Sequence, residues 1–189
     1  MNVEDKYVKQ FYNVNVKKFS ESRYNTWPPV KIFIESIKTN SNVCDIGCGN
    51  GKNQYRKDLN YLSCDNSIEM CKLVKNSVCT DCTNLPFQTD SFDAVICIAV
   101  IHHLSSFERR LLALQEIRRI LKPGCKGLIS VWGNQPKYGE GDQIIGWNLK
   151  ENQRYIHFFS HTEINDLISS VFKKYFIEYD YNNYYITVY

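Results

Sequence analysis

The stretch Asp45-Ile46-Gly47-Cys48-Gly49-Asn50-Gly51 runs directly out of a short apolar segment at 42–46. Three glycines at alternate positions let the backbone turn sharply after a strand and let a ligand approach the main chain closely. A buried strand feeding such a turn is the opening unit of a sheet covered by helices on both faces, in which ligands bind beyond the carboxyl ends of the strands. Taken alone, the glycine cluster also fits an ordinary strand-to-helix turn, so the rest of the chain has to decide.

Residues 1–40 read as helical, with an irregular apolar face from Phe11, Val14 and Phe19 that breaks at Trp27-Pro28-Pro29. Val30, Phe33, Ile34 and Ile37 recur at three- and four-residue spacing and predict a second helix over 28–37. Short strands are predicted at 42–46 and 61–64, a helix at 67–75, and a central strand, a near-continuous apolar run, at 92–100. Ser105 and Glu108 fit a capping box that opens a helix with an apolar stripe of Phe107, Leu111, Leu114, Ile117 and Leu121. Pro123-Gly124 is the expected terminator. A strand at 128–132, a mobile loop at 133–146, a helix at 162–172 and a hairpin with strands at 176–181 and 184–188 complete the reading. The pattern predicts an α/β fold: a doubly wound, mostly parallel sheet with a C-terminal antiparallel hairpin. At ~100–200 residues per domain, the 189 residues are expected to form one domain with a helical cap over about 1–38.

Composition narrows the function classes. Lys and Arg total 23 against 20 Asp and Glu, a formal charge of +3 that permits a nucleic-acid partner without demanding one. No apolar run approaches the ~18 residues of a membrane span, and the polar start MNVEDKYVKQFYN carries no export signal. Neither a membrane nor secretion is therefore expected. The eight cysteines lie mostly inside apolar runs, as Cys97 does in DAVICIAVI, and read as free buried thiols of a reducing compartment, the cytoplasm or the nucleus. Cys79 and Cys82 form a C-x-x-C with no second pair at finger-like spacing, so no metal site is expected.

Two acids give the glycine turn a ligand. The dinucleotide fingerprint is G-x-G-x-x-G with an acid about 20 residues on, whereas the spacing here is G-x-G-x-G with Asp45 two residues before the first glycine. An acid there is poorly placed beside a pyrophosphate and suits an ammonium. Asp65 closes the second strand, where a carboxylate can accept both hydroxyls of a ribose. An ammonium, a ribose and no phosphate are what S-adenosylmethionine presents. The segments VCDIGCGNG, LSCDNS, CTDCTNLPF, FDAVICIAVIHHL and LKPGCKGLISVW, over about 43–132, resemble the successive motifs of the class I S-adenosylmethionine-dependent methyltransferases. That resemblance implies that Gly47, Gly49 and Gly51 pack against the methionine and ribose, with Asp45 toward the methionine end and Asp65 on the ribose. It puts Asp81 at the adenine amino group with Cys82 beside it, and Ile98 and Ala99 near the sulfonium. The plainer role for Asp81 is that of a turn or capping acid.

A narrower resemblance spans almost the whole chain. VKKFSESRYNTWPPV, AVIHHLSSFERRLLALQEIRRILKPG, LISVWG, DQIIGW and RYIHFFSHTEINDLI are similar to the eukaryotic tRNA wobble-uridine carboxymethyl methyltransferases, which esterify 5-carboxymethyluridine in the anticodon loop. The resemblance implies a tRNA substrate and a small zinc-binding activator subunit as partner. The segment between Trp132 and Asp142 is short for that family, which bears on tRNA contacts more than on chemistry. Arg23 and Arg154 are candidates for the carboxymethyl group or neighbouring phosphates, because guanidinium forks suit both. His102 and His103 are candidates for the uridine pocket or, alternatively, for packing and capping. Tyr24, Trp147, Tyr155, His157 and Trp132 are candidates to stack on or contact a base, with core packing an equal alternative for Trp147 and the favoured one for Trp132. Arg109, Arg110, Arg118 and Arg119 suit either RNA phosphates or a solvated helix face.

A carboxylate acceptor has a pKa near ~4 and is ionised at neutral pH, so the reaction needs orientation and dryness rather than a general base. Two rival readings share parts of the pattern. A class I enzyme acting on a small-molecule acid or other acceptor would keep every cofactor motif, and a non-catalytic subunit of the same fold would not need Asp45, Asp65 and Asp81 intact. Amino-methylating enzymes with N-P-P-Y after the fourth strand are disfavoured by Ile98-Ala99-Val100-Ile101.

Overall fold

The computed structural model describes residues 1–147 and 149–189, with the backbone alone at 149–151. Its centre is a sheet in the order β3-β2-β1-β4-β5-β9-β8. The strands are β1 Asn42–Ile46, β2 Asn60–Asp65, β3 Ser77–Cys79, β4 Phe92–Ile98, β5 Leu121–Trp132, β8 Tyr175–Asp180 and β9 Asn183–Val188. The first five are parallel, and β9 runs antiparallel between β5 and β8. The predicted doubly wound sheet and terminal hairpin are therefore both present.

Alternation along β4 explains the two cores. Val95 and Cys97 join Leu114, Ile117, Leu167 and Ile168 on one face, against α4 Phe107–Ile120 and α5 His161–Ser169. Ala94, Ile96 and Ile98 join Val30, Phe33 and Ile34 of α2 Pro28–Glu35 on the other. Cys44, Cys64 and Cys97 are fully enclosed, and all eight thiols are free. Among the described residues, no helix is long and apolar enough to cross a membrane.

Several local expectations need correction. The segment read as a mobile loop instead enters a second sheet, in which β6 Gly141–Trp147 pairs antiparallel with β7 Leu149–Phe158. Glycines at 141 and 146 interrupt its alternation, and its partner strand supplies the order. The predicted helix at 67–75 is only α3 Ile68–Cys71, because the next amides bond three residues back (Leu73 to Met70, Val74 to Cys71) and Ser77 Oγ donates to the Cys71 and Val74 carbonyls. α4 is capped by Ser106, which accepts from the Arg109 amide, and not by Ser105. Glu4 has claimed the Ser105 amide and hydroxyl. α4 also ends at Ile120, three residues before the predicted Pro123, because the Asp90 and Ser91 amides take the Arg119 and Ile120 carbonyls and Leu121 already pairs with Phe92. Phe107 and Val14, expected on buried faces, are exposed. At the N-terminus a π-helical turn, Asp5–Lys9, continues into α1 Gln10–Ser22.

Candidate active site

The cleft forms where β1 and β4 end. Gly47 leaves β1 at φ +66°, and a Cβ there would meet Val100 Cγ2 at 2.2 Å. Glycine is thus the residue that lets the turn and the end of β4 approach each other. The Cys48 amide donates to the Cys64 carbonyl at 3.0 Å and binds the turn to β2. The Gly49 amide donates to Asp65 Oδ2 at 2.9 Å, and the Ser67 amide to Oδ1 at 2.8 Å. Burial raises the Asp65 pKa although these amides favour its charged form. Ala99 leaves β4 at φ +60°, a strained conformation for a residue with a Cβ, held by its amide on the Ser130 carbonyl.

One cleft brings together Gly47, Gly49, Asp65, Asp81, Cys82, Ile98 and Ala99, all singled out in the sequence. Asp81 Oδ1 accepts from the Thr83 amide and hydroxyl, and Oδ2 pairs with Arg109 at 2.6 Å. Burial opposes its ionisation, but the Thr83 and Arg109 bonds outweigh it and hold the pKa below the usual carboxylate range. Burial pushes the Cys82 thiol well up and keeps it protonated. Asp45 and Gly51 are not on the cleft wall. Asp45 lies beneath the turn, 1% exposed, accepting from Gln54 Nε2 at 3.0 Å, and burial pushes its pKa up to about 7.

The other end of the same cleft collects Arg23, His102, His103 and Arg154. The two histidines have different duties. His103 Nδ1 faces the Tyr155 carbonyl at 2.8 Å and must donate to it. Its Nε2 is then an acceptor, filled by the Tyr12 hydroxyl at 2.8 Å. His102 Nδ1 accepts from the Trp132 amide at 3.2 Å, so in the neutral ring the proton sits on Nε2. That Nε2 is buried and has no partner among the described residues. Burial drives both rings toward the neutral form, His103 to about 3. The Arg154 side chain is buried as well, its guanidinium 4.8 Å from the Trp132 ring centre, with Nε unpartnered. Burial and nearby Arg154 lower the Arg23 pKa.

Four candidates for base contact stand elsewhere. Tyr24 is 77% exposed and off the cleft wall. Trp147 is buried against Phe11 and Phe19, at ring-centre distances of 5.6 and 6.3 Å. The Tyr155 hydroxyl bonds Asp142 and Arg110. His157 lies between Asp142 Oδ1 at 2.6 Å and Glu163 Oε1 at 2.7 Å. These last two side chains anchor the β6–β7 hairpin, and only the backbone carbonyl of Tyr155 serves the cleft. Arg109, Arg110 and Arg119 are likewise committed within the chain, to Glu4 and Asp81, to Asp142 and Glu163, and to Glu116. Arg118 alone of the four keeps an exposed side chain.

Sequence reasoning missed Tyr12, Asn13 and Glu4. Asn13 Oδ1 accepts from Ser67 Oγ at 2.6 Å, joining α1 to the turn after Asp65. The available signal was a polar helix carrying adjacent Phe11 and Tyr12, which no helical periodicity explains.

The parallel sheet, the glycine turn at its first strand and the flanking acids define a methyltransferase domain of the S-adenosylmethionine-dependent class, and a methyltransferase-domain family profile matches residues 44–129. A Schizosaccharomyces pombe protein named tRNA (carboxymethyluridine(34)-5-O)-methyltransferase is 34% identical over 201 aligned positions, covering 88% of each chain. The chain belongs to that tRNA methyltransferase family. The mouse protein of the same activity name, ALKBH8, is 40% identical over 73% of this chain, which spans only 22% of the mouse protein's length. Among solved structures, a Haloferax volcanii complex between the Trm112 methyltransferase activator and a methyltransferase shares the fold, with a TM-score of 0.69 at 16% identity over 96% of each chain.

Proposed function

We propose that the protein transfers a methyl group from S-adenosylmethionine to the carboxylate of 5-carboxymethyluridine at the tRNA wobble position, giving the methyl ester. The observation that carries this reading is Arg154, a buried cation with no ion pair among the described residues, in the same cleft as the glycine turn. A buried charge without a partner is costly and calls for an anionic ligand. The names of the relatives supply the substrate class, and they do not favour a small-molecule acid or a non-catalytic role.

The donor end fits S-adenosylmethionine. Gly49 leaves the main chain uncovered, with only Phe19 within 4 Å of where a Cβ would stand. Asp65 offers a carboxylate for the ribose, while Asp81 and Cys82 border the space for the base. Asp45 would act from below, through Gln54 and the turn. When bound, S-adenosylmethionine supplies a methyl group on a sulfonium.

At the acceptor end the residues orient and dehydrate. The acid is already ionised at neutral pH, and His103, with both nitrogens occupied, is not free to act as a base. Arg154 and Arg23 hold one carboxylate oxygen and leave the other free, because a full bidentate grip would dull the nucleophile. The His102 Nε2–H donates to a carbonyl of the uracil or to the held oxygen. Placement of this kind is worth effective molarities of ~10⁵ M or more.

A small zinc-binding activator is the partner this reading expects. The free edge of β3, with Val78 exposed on it and Ile68 and Leu73 exposed on and just after α3, supports a docking place there. The free thiols fit work in the reducing cytoplasm or nucleus.

The test is direct. The chain and its activator are incubated with tRNA bearing 5-carboxymethyluridine, and nucleosides are read by mass spectrometry. A methyl ester is expected, and its absence with cofactor bound removes the tRNA reading. Asp65→Ala should weaken cofactor binding at least tenfold; unchanged affinity removes the cofactor assignment. Full activity in Arg23→Ala removes that residue's role.

A further inference from the structure

The charges of the cleft are sorted by position. Asp65 is held by two amides, and Asp81 and Glu4 are held by Arg109. Arg23, Lys52 and Arg154 line the same cleft, and none has an ion pair among the described residues. Arg23 stacks on Phe19, Lys52 on Trp27 and Arg154 on Trp132. Of the three, Arg154 is the most enclosed, 6% exposed, and its Nε finds no acceptor. Its Nε is cut off from water, and among the described residues no internal anion pairs with it, so its neutralisation falls to a ligand in the cleft.

We propose that Arg154 reads the charge of the reacting group, so that the cleft admits a carboxylate, refuses the isosteric amide and expels the ester that the reaction makes. This rests on the proposed esterification. In that reaction a carboxylate lone pair forms the new O–C bond, while the C–S bond breaks with its electrons staying on sulfur. No proton moves, and the carboxylate's negative charge and the sulfonium's positive charge disappear together. Substrate and product then differ at Arg154 by its whole counter-ion. A neutral ester or amide still offers a carbonyl oxygen, but it leaves a desolvated guanidinium uncompensated, and such a mismatch is rejected far more strongly than the loss of a methylene. Methyl transfer thus ends the affinity that held the substrate, and release needs no separate opening step.

The experiment uses anticodon stem-loop RNAs that are identical except at the wobble uridine, which carries the acid, the amide or the methyl ester. Binding to the full chain is measured with S-adenosylhomocysteine present, so that no turnover occurs. The acid RNA should bind at least about tenfold more tightly than either neutral RNA. In Arg154→Gln the three affinities should converge to within about twofold while S-adenosylhomocysteine binding is retained, and Arg154→Lys should restore part of the preference. Equal binding of acid and ester by the wild type overturns the proposal, as does an undiminished preference in Arg154→Gln. Should Arg154→Gln not fold, product inhibition of the wild type decides: an ester-RNA inhibition constant well above the KM of the acid RNA supports the proposal, and one equal to it overturns it. Charge preference without methylation would sink the esterification and leave the charge reading standing, whereas methylation without charge preference would do the reverse.

Discussion

Gly47 sits at φ +66°, where a methyl group would lie 2.2 Å from Val100 Cγ2. Gly47→Ala should combine backbone strain with overpacking and lose about 2–4 kcal/mol of stability, read by urea unfolding, together with cofactor affinity read by calorimetry. Adding Val100→Ala should recover the packing part only; a fully stable single variant would contradict the close approach. Asp45 makes a different prediction. Its folded pKa of about 7 stands above the unfolded value near 3.9. The folded chain therefore holds the extra proton between about pH 4 and 7, and stability falls as pH rises through that window. Asp45→Asn, which mimics the protonated acid and can still accept from Gln54, should flatten this slope and unfold at higher urea than the wild type at pH 8. A parallel pH profile for the two proteins would count against it. His102 and His103 show how little a residue name fixes. Neighbours in sequence and both buried, one is locked between Tyr12 and a carbonyl and the other presents an unspent donor.

At the scale of elements, the hairpin β6–β7 is the part that local sequence hid. Its residues carry Arg154 on β7, opposite Ile145 on β6, and bring the Tyr155 carbonyl to His103. What fixes it is an ionic knot: Arg110 and His157 each face both Asp142 and Glu163, and Glu163 belongs to α5. These groups come from four separate stretches of chain, so no spacing rule reveals them. The RYIHF segment was conspicuous in sequence, but the contacts of Tyr155 and His157 could not be read there. His157→Leu should take away one of the two groups that bridge Asp142 and Glu163, leave Arg110 alone between them, and cost roughly 1–3 kcal/mol in urea unfolding, with cofactor affinity unchanged within about twofold. Loss of RNA binding with full stability would restore the base-contact role. By contrast α2 was legible nearly to the residue, because Pro at its start and four apolar side chains at helical spacing act locally.

For the whole molecule, the sheet exposes β3 at one end and β8 at the other. β3 is three residues long, and Val78 on it is 37% exposed. An activator that adds to this edge would cover Val78, Leu73 and Ile68 together. Val78→Lys should abolish co-purification with the proposed activator while circular dichroism stays that of the wild type; undiminished capture would remove the β3 edge as its docking place. The N-terminal helices close the opposite aspect of the cleft. Glu4 reaches Ser105 and Arg109, Tyr12 reaches His103, and Asn50 Nδ2 donates to the Arg23 carbonyl at 2.8 Å. The substrate end of the cleft is therefore built by segments 91 residues apart in sequence, at the Tyr12–His103 contact.

The sequence by itself determined the alternation of strands and helices, the glycine turn and the acids around it, because steric freedom, hydrophobic periodicity and the end of a strand are properties of neighbouring residues. Which acid reaches the cleft, which histidine keeps a free donor, and that a buried arginine is left without an anion were decided only by the tertiary structure. Those outcomes depend on burial and on partners supplied by distant segments. A charge becomes costly, and so becomes informative about a ligand, only once folding has taken its water away.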